Sequence, residues 1–350
     1  MTTVARYRQL RLVVGPSGPA PHGIQEAFVE EVRLLKRGDP LRPLLVLVGS
    51  NYVRLHLSRL LAARLGGHAN IRFTLLDELA RQYGTPPLVD RGRRRLPDLG
   101  RELVLRESAQ ARAHGTCFEV IAGKEGFLEA LGATLLDLKA AGVDPSSLRA
   151  AAAALRTPSG RKPSADRVAK KLEDLADLHE AYEDRLRETR FYDDQDVLRE
   201  AVTRAEGEGH KDVMVYGFYD ATWLQRDLIK SYLGFKKGVV FFPSDAPPLR
   251  EADDERSDYG RPLLEWFRTF VPELTVLEPG EGHRGPETRI LSAPGEPREA
   301  MEAIRWLVGV AREGSVPYGE LALLYRTPDP WRPLLVEILD AAEVPHVLLH

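Results

Sequence analysis

Two apolar runs of strand length, Leu10–Val14 (LRLVV) and Leu44–Val48 (LLVLV), constrain the fold of this chain more than any other feature. A run that is apolar at successive positions must be covered on both faces, as a strand is in a parallel sheet wrapped by helices. Each run leads into a stretch of helical periodicity, Gln25–Leu35 after the first and Tyr52–Leu65 after the second. A third strand, Ile71–Thr74, precedes a helix at Leu75–Tyr83. Strands and helices that alternate in this way predict an α/β domain built on a parallel sheet.

The pattern is then interrupted. From about Pro86 to Ala205 the residues are rich in Ala, Leu, Arg and Glu and read as helix, with no convincing strand. Thr85–Pro97, which holds the run RGRRR, and Thr157–Pro163 read as flexible stretches. The α/β pattern resumes with a strand at Asp212–Tyr216, a helix at Ala221–Leu233 and a strand at Val239–Phe242. Ala246–Asp258 reads as a polar loop and Glu273–Pro286 as a linker. A new unit follows, with strands at Thr288–Ser292, Leu321–Tyr325 and His346–Leu349 and helices at Glu296–Arg312 and Trp331–Ala342. The expected domains are residues 1–84 with 206–272, a helical insertion over 85–205, and the beginning of a second α/β domain over 287–350. Because the chain stops on a strand with no covering helix, it reads as the N-terminal part of something longer.

Composition removes several function classes. A net charge of -3 over 350 residues is no global basic field, so binding to nucleic acid would need a local channel. One cysteine, Cys117, excludes a disulfide framework and a multi-cysteine metal site, and it reads as a core thiol. No histidines stand at ligand spacing with an acidic partner, so no metal or other cofactor is expected. The N-terminus lacks the pattern of a signal peptide, and no apolar run has membrane-spanning length. The cytoplasm is the expected compartment, with no membrane partner.

The first strand leads into Gly15-Pro16-Ser17-Gly18-Pro19-Ala20-Pro21-His22. A nucleoside triphosphatase places a glycine-rich loop here, whose N–H groups surround the phosphates while a lysine and a hydroxyl residue hold the terminal phosphates and Mg²⁺. By spacing, Gly15 matches the first glycine, Ala20 the second, Pro21 the lysine and His22 the hydroxyl. Ser17 and Gly18 are the two remaining loop residues that are not proline. Three prolines remove three N–H donors. The other half of such a centre is an Asp-Glu pair at the tip of a later strand. The strand over Val213–Val215 ends instead in Tyr216-Gly217-Phe218, and the nearest carboxylate, Asp220, lies past the turn. No catalytic residue is therefore expected.

The order of these pieces resembles the superfamily I helicases of the UvrD/Rep type, and more closely the AddB-like subunits of bacterial helicase–nuclease complexes. Four stretches carry the resemblance: LRLVVGPSG; LLVLVGSNYVRLHLSRLLAARLGG with NIRFTLLDELARQYG; DLADLHEAYEDRLRETRFYDDQDVLREAV with DVMVYGFYDATWLQRDLI; and the segment from APGEPREAMEAIRWLVG to AAEVPHVL. The resemblance implies a RecA-like parallel-sheet domain with an all-helical insertion, followed by the start of a second RecA-like domain. Arg326 matches the arginine that contacts the terminal phosphate in active relatives. With the phosphate loop lost, an ion pair is the better expectation for it. No set of carboxylates with Glu-x-Lys marks a nuclease centre.

The same resemblance implies single-stranded DNA across the carboxyl ends of the strands, near Ser50, Asn51 and Tyr52 and near Thr74. Ser50 or Asn51 equally suits a helix cap, and Thr74 has the same two readings. Arg91, Arg93, Arg94 and Arg95 form the one dense basic run, read either as a solvated loop or as a phosphate contact. Gln225 and Trp223 follow the Tyr216–Asp220 turn. Trp223 reads as a buried aromatic more readily than as a stacking surface. The expected function is a non-catalytic scaffold that binds single-stranded or tailed duplex DNA beside an active helicase or nuclease partner in repair and recombination. The alternatives are a protein-interaction module without DNA, or an atypical ATPase using the backbone at Ser17 and Gly18 with Arg326.

Overall fold

A computed structural model describes residues 6–16, 23–156, 163–206, 209–244, 259–277, 289–314 and 316–348. The chain divides into two compact units, 1–283 and 284–350. The first is an α/β fold of the RecA-like kind. Its strands are β1 (Leu10–Gly15), β2 (Leu44–Val48), β3 (Ile71–Leu75), β6 (Asp212–Tyr216), β7 (Lys237–Pro243) and β8 (Glu273–Val276). They form a six-stranded sheet in the order β3-β2-β6-β7-β1-β8, parallel throughout.

Alternation along each buried strand sorts the side chains into two cores. Val13, Leu44, Val46, Val48, Met214, Tyr216, Val239 and Phe241 face α1 (Ile24–Lys36) and α2 (Asn51–Leu65), meeting Phe28, Val32, Leu57 and Leu61. Leu12, Val14, Leu45, Leu47, Val213, Val215, Val240 and Phe242 face the opposite way. That second layer holds α3 (Leu76–Asp90), α8 (Asp194–Arg204), α9 (Trp223–Leu233) and α10 (Arg261–Arg268). The doubly apolar runs read from the sequence are thus covered twice, as a parallel sheet requires.

Between β3 and β6 lie α4 (Asp98–Arg112), α5 (Glu125–Ala140), α6 (Pro145–Leu155) and α7 (Pro163–Glu188). They enclose a separate core of Leu105, Leu128, Leu131, Leu135, Leu178 and Tyr182. Two-residue strands β4 (Arg94–Arg95) and β5 (Phe191–Tyr192) pair in parallel where the chain enters and leaves these helices.

Several local readings change. Thr85–Pro97 is not a loop throughout, because α3 continues to Asp90 across Pro86 and Pro87. Each proline deletes one helical hydrogen bond, yet α3 is held from outside by its packing on α8, with Gly84 and Leu88 buried. Glu273–Val276 is not linker but the edge strand β8, paired with β1 through Arg11–Val14. Its ELTV sequence has no continuous apolar run, so only the neighbouring strand reveals it. The short helix α10 is equally absent from the sequence reading. Cys117 is exposed rather than in the core; its segment joins α4 to α5, where its N–H donates to Asp174 at 2.9 Å.

The second unit packs α11 (Glu296–Gly314) against α12 (Pro328–Ala341) over Ala300, Ile304 and Leu335. Among its described residues, the stretches 289–292, 321–325 and 346–348 form no strand. A parallel strand exists only through ladder bonds to a neighbour, and apolar patterning alone cannot supply one.

Candidate nucleic-acid interface

In an open parallel sheet, ligands meet the carboxyl ends of the strands. The end of β1 is closed by the backbone: Val14 O accepts from Leu277 N (2.7 Å), Gly15 O from Ser244 N (2.9 Å) and Pro16 O from Ile24 N (3.1 Å). A Cβ on Gly15 would stand 2.7 Å from Leu277 Cβ. The missing side chain is therefore explained by the close approach of Leu277, with no phosphate required. Ser17, Gly18, Pro21 and His22 lie outside the described residues.

At the end of β6 the side chain of Tyr216 turns into the core, its ring 5.4 Å from that of Phe28 and 5.9 Å from that of Phe241. Burial pushes its phenol pKa upward. Asp220 accepts from Ala221 N (2.8 Å) and from the Tyr259 hydroxyl (3.0 Å). No group of three His, Cys, Asp or Glu side chains among the described residues is arranged to hold a metal ion. Arg326 is exposed in the second unit.

Ser50 caps α2, accepting from Val53 N at 3.3 Å. Asn51 and Tyr52 open the helix, both exposed, and α2 contains three arginines and no acidic residue. Gly49 and Gly217 bring the β2 and β6 ends together, since a Cβ on Gly49 would lie 2.4 Å from Gly217 O. Gly217 itself has φ +77°, which favours glycine. Thr74 is only 1% exposed, with no hydrogen-bond partner for its hydroxyl, so it presents no side chain at the surface. Gln225 is held in a capping box: its Oε1 accepts from Thr222 N (2.9 Å) and Thr222 Oγ1 accepts from Gln225 N (3.4 Å). The Thr-x-x-Gln spacing announces that role in the sequence. Trp223 is 57% exposed, contrary to the expectation of burial, because it stands at the first turn of α9 beyond the helix's packed face.

The basic run is largely neutralised by α8. Arg91 forms a forked pair with Glu200 (3.0 Å on one arm), Arg93 bonds Asp196 (3.0 Å) and Phe191 O (3.0 Å), and Arg95 reaches Asp194 (3.3 Å). Arg94 lies over the Phe191 ring at 5.4 Å. Arg93 is thus structural, and among the described residues Arg94 alone of the four has no carboxylate partner within ion-pair distance.

Arg93 belongs to a buried cage that the sequence reading missed. Lys139, fully buried, contacts Glu183 (2.6 Å), Asp193 (2.6 Å) and Asp196 (3.3 Å). Two signals point to it: Lys139 continues the Leu128, Leu131, Leu135 stripe of α5, and Asp193-x-x-Asp196 is the capping box that starts α8. Burial pushes Asp193 up, but Lys139 outweighs it and holds that carboxyl below the ordinary range. Asp196 is pushed above the range by burial, with the charges of Asp193 and Glu183 adding to it against Lys139 and Arg93. A carboxyl raised in the folded state binds its proton more tightly there, so it opposes folding at neutral pH and is relieved as pH falls through its folded value. Asp196→Asn should therefore compare more favourably with the parent at neutral than at mildly acidic pH, read by urea unfolding. A difference independent of pH, or one moving the other way, would refute this assignment.

The fold and its strand ends define a RecA-like parallel α/β protein. A family profile described as ADDB, N-terminal, matches residues 62–259, more than half of the chain. The chain belongs to this AddB family. No curated protein matches it. Among the described residues no helix is long and apolar enough to cross a membrane.

Proposed function

We propose that this chain is a non-catalytic, DNA-binding scaffold within an AddB-like subunit of a helicase–nuclease repair complex, acting beside a partner that supplies ATP turnover. In this reading, residues 1–84 and 206–272 are a degenerate motor domain, 85–205 its helical insertion, and 287–350 the start of a second motor domain. The observation that carries it is at β6, where a core tyrosine occupies the strand tip that a Mg²⁺-holding carboxylate pair would need. The proline-rich sequence after β1, with Pro21 at the lysine position, supports the same conclusion.

DNA binding is supported by the first turn of α2 at the sheet's carboxyl edge, where Asn51 and Tyr52 are exposed, although two arginines of that helix are already paired, Arg54 with Glu78 (3.2 Å) and Arg64 with Glu26 (2.7 Å). The chain is expected to bind a tailed duplex with affinity that falls steeply as salt rises, and to show neither retention of a fluorescent ATP analogue nor DNA-stimulated hydrolysis. Turnover at a helicase's rate would overturn the scaffold reading. Failure to bind DNA at either of two salt concentrations would favour a protein-interaction module instead. Arg94→Ala is the informative substitution in the basic run, because Arg93→Ala would also disturb the buried cage.

A further inference from the structure

We propose that a cavity at the amino ends of the strands, under the last turns of α1, is a binding site for a small carboxylate carried on an apolar body. Its volume is about 370 Å³, toward the small end of the range for ligand sites, roughly 300–1,000 Å³. It lies at the sheet edge opposite the one proposed for DNA, so the inference does not depend on that reading.

The chemistry of the cavity follows from strand alternation, which puts every second residue on the same face. Arg11 on β1, Asp212 on β6 and Lys237 on β7 share a face with the core residues Val13, Met214 and Val239, and Glu273 on β8 is the register partner of Arg11. Four neighbouring strands thus turn a charged residue toward the helix side at their amino ends. Beside these charges the cavity keeps an apolar floor. Leu44, Met214 and Val239 are buried, and Leu35 of α1 packs on the same cluster.

Two of the charges are already engaged. Arg11 is paired with Glu31 of α1, and Arg42 donates to both oxygens of Asp212, at 2.8 and 3.0 Å. Among the described residues Lys237 and Glu273 have no ion-pair partner, and neither has Arg8, which also lines the cavity. Two unpaired cations and one unpaired anion therefore surround a hydrocarbon floor. The cations select an anion: an arginine fork can take a carboxylate in two parallel bonds, and a lysine adds a point charge. The floor selects an apolar body. Glu273 limits the ligand's charge, because it repels a dianionic phosphate more than a monoanionic carboxylate. Such a group can arrive on a free molecule or as the carboxyl terminus of a peptide, and the small volume favours the free molecule.

The test titrates the whole chain by calorimetry with hydrocinnamate and with its neutral amide. Hydrocinnamate should bind with a dissociation constant on the order of a millimolar, and the amide on the order of tenfold more weakly. Lys237→Met removes the charge from an exposed position. It should weaken hydrocinnamate on the order of tenfold while urea unfolding stays as in the parent. Glu273→Gln should strengthen binding, and inorganic phosphate should not compete. No binding of hydrocinnamate by the parent would overturn the site. So would equal affinity for acid and amide, or an unchanged affinity in Lys237→Met. A peptide ending in phenylalanine that binds more tightly than hydrocinnamate, and only with its carboxylate free, would overturn the free molecule as the source and assign the site to a partner's terminus.

Discussion

Replacing Lys139 with Met is expected to cost about 3–5 kcal/mol of folding stability, the range for removing one partner of a buried ion pair. The ammonium is wholly enclosed, with Glu183 and Asp193 each at 2.6 Å and Asp196 at 3.3 Å. Methionine fills much the same volume, so the packing change contributes little, less than about 1.5 kcal/mol. The larger effect is electrostatic: three carboxylates would remain in the cage with Arg93, bonded to Asp196, as the nearest cation. Lys139 lies on α5, Glu183 on α7, and Asp193 and Asp196 at the start of α8, so these helices should lose hydrogen-exchange protection before the sheet does. Adding Glu183→Gln and Asp193→Asn should recover much of the loss, since the charges act as one coupled group. Urea unfolding gives the energy. A cost below about 1 kcal/mol would show that the cage does not carry the charges assigned to it.

The second large effect is expected at Gly84. On helix propensity alone, Gly84→Ala within α3 should stabilise by about 1 kcal/mol. The crossing with α8 opposes this, because a Cβ there would lie 2.0 Å from Val197 O and 2.9 Å from its carbonyl carbon. A backbone oxygen cannot rotate away, so the two helices must separate. Overpacking of this kind costs about 1–3 kcal/mol, enough to cancel or exceed the gain. A net loss is expected, together with weaker protection in both helices. Stabilisation by the amount that propensity predicts would show that the helices are not packed this closely.

Much of the sheet was legible from short-range pattern. The runs at Leu44–Val48 and Asp212–Tyr216 coincide with β2 and β6, and the helices after them follow their periodicity. The Ser50 cap and the Thr222–Gln225 box were also open to reading, because caps are written within four consecutive residues. Gly15 shows the limit of such reading. By spacing Gly15 matches only the first glycine of a decayed phosphate loop, and nothing local announces its close neighbour Leu277, remote in sequence. Likewise the arginines over 91–95 read as a basic patch until α8 supplied Glu200, Asp194 and Asp196.

What the residues alone determined is the alternation of strand and helix and the need to cover both sides of the sheet. Those properties depend on neighbours along the chain, whose periods and backbone limits are local. Which charges share one cage, that α3 survives two prolines and that a four-residue polar-apolar segment becomes β8 were decided only in three dimensions. Burial, ion pairing and strand pairing each require a partner, and here the partners come from positions far apart in the sequence.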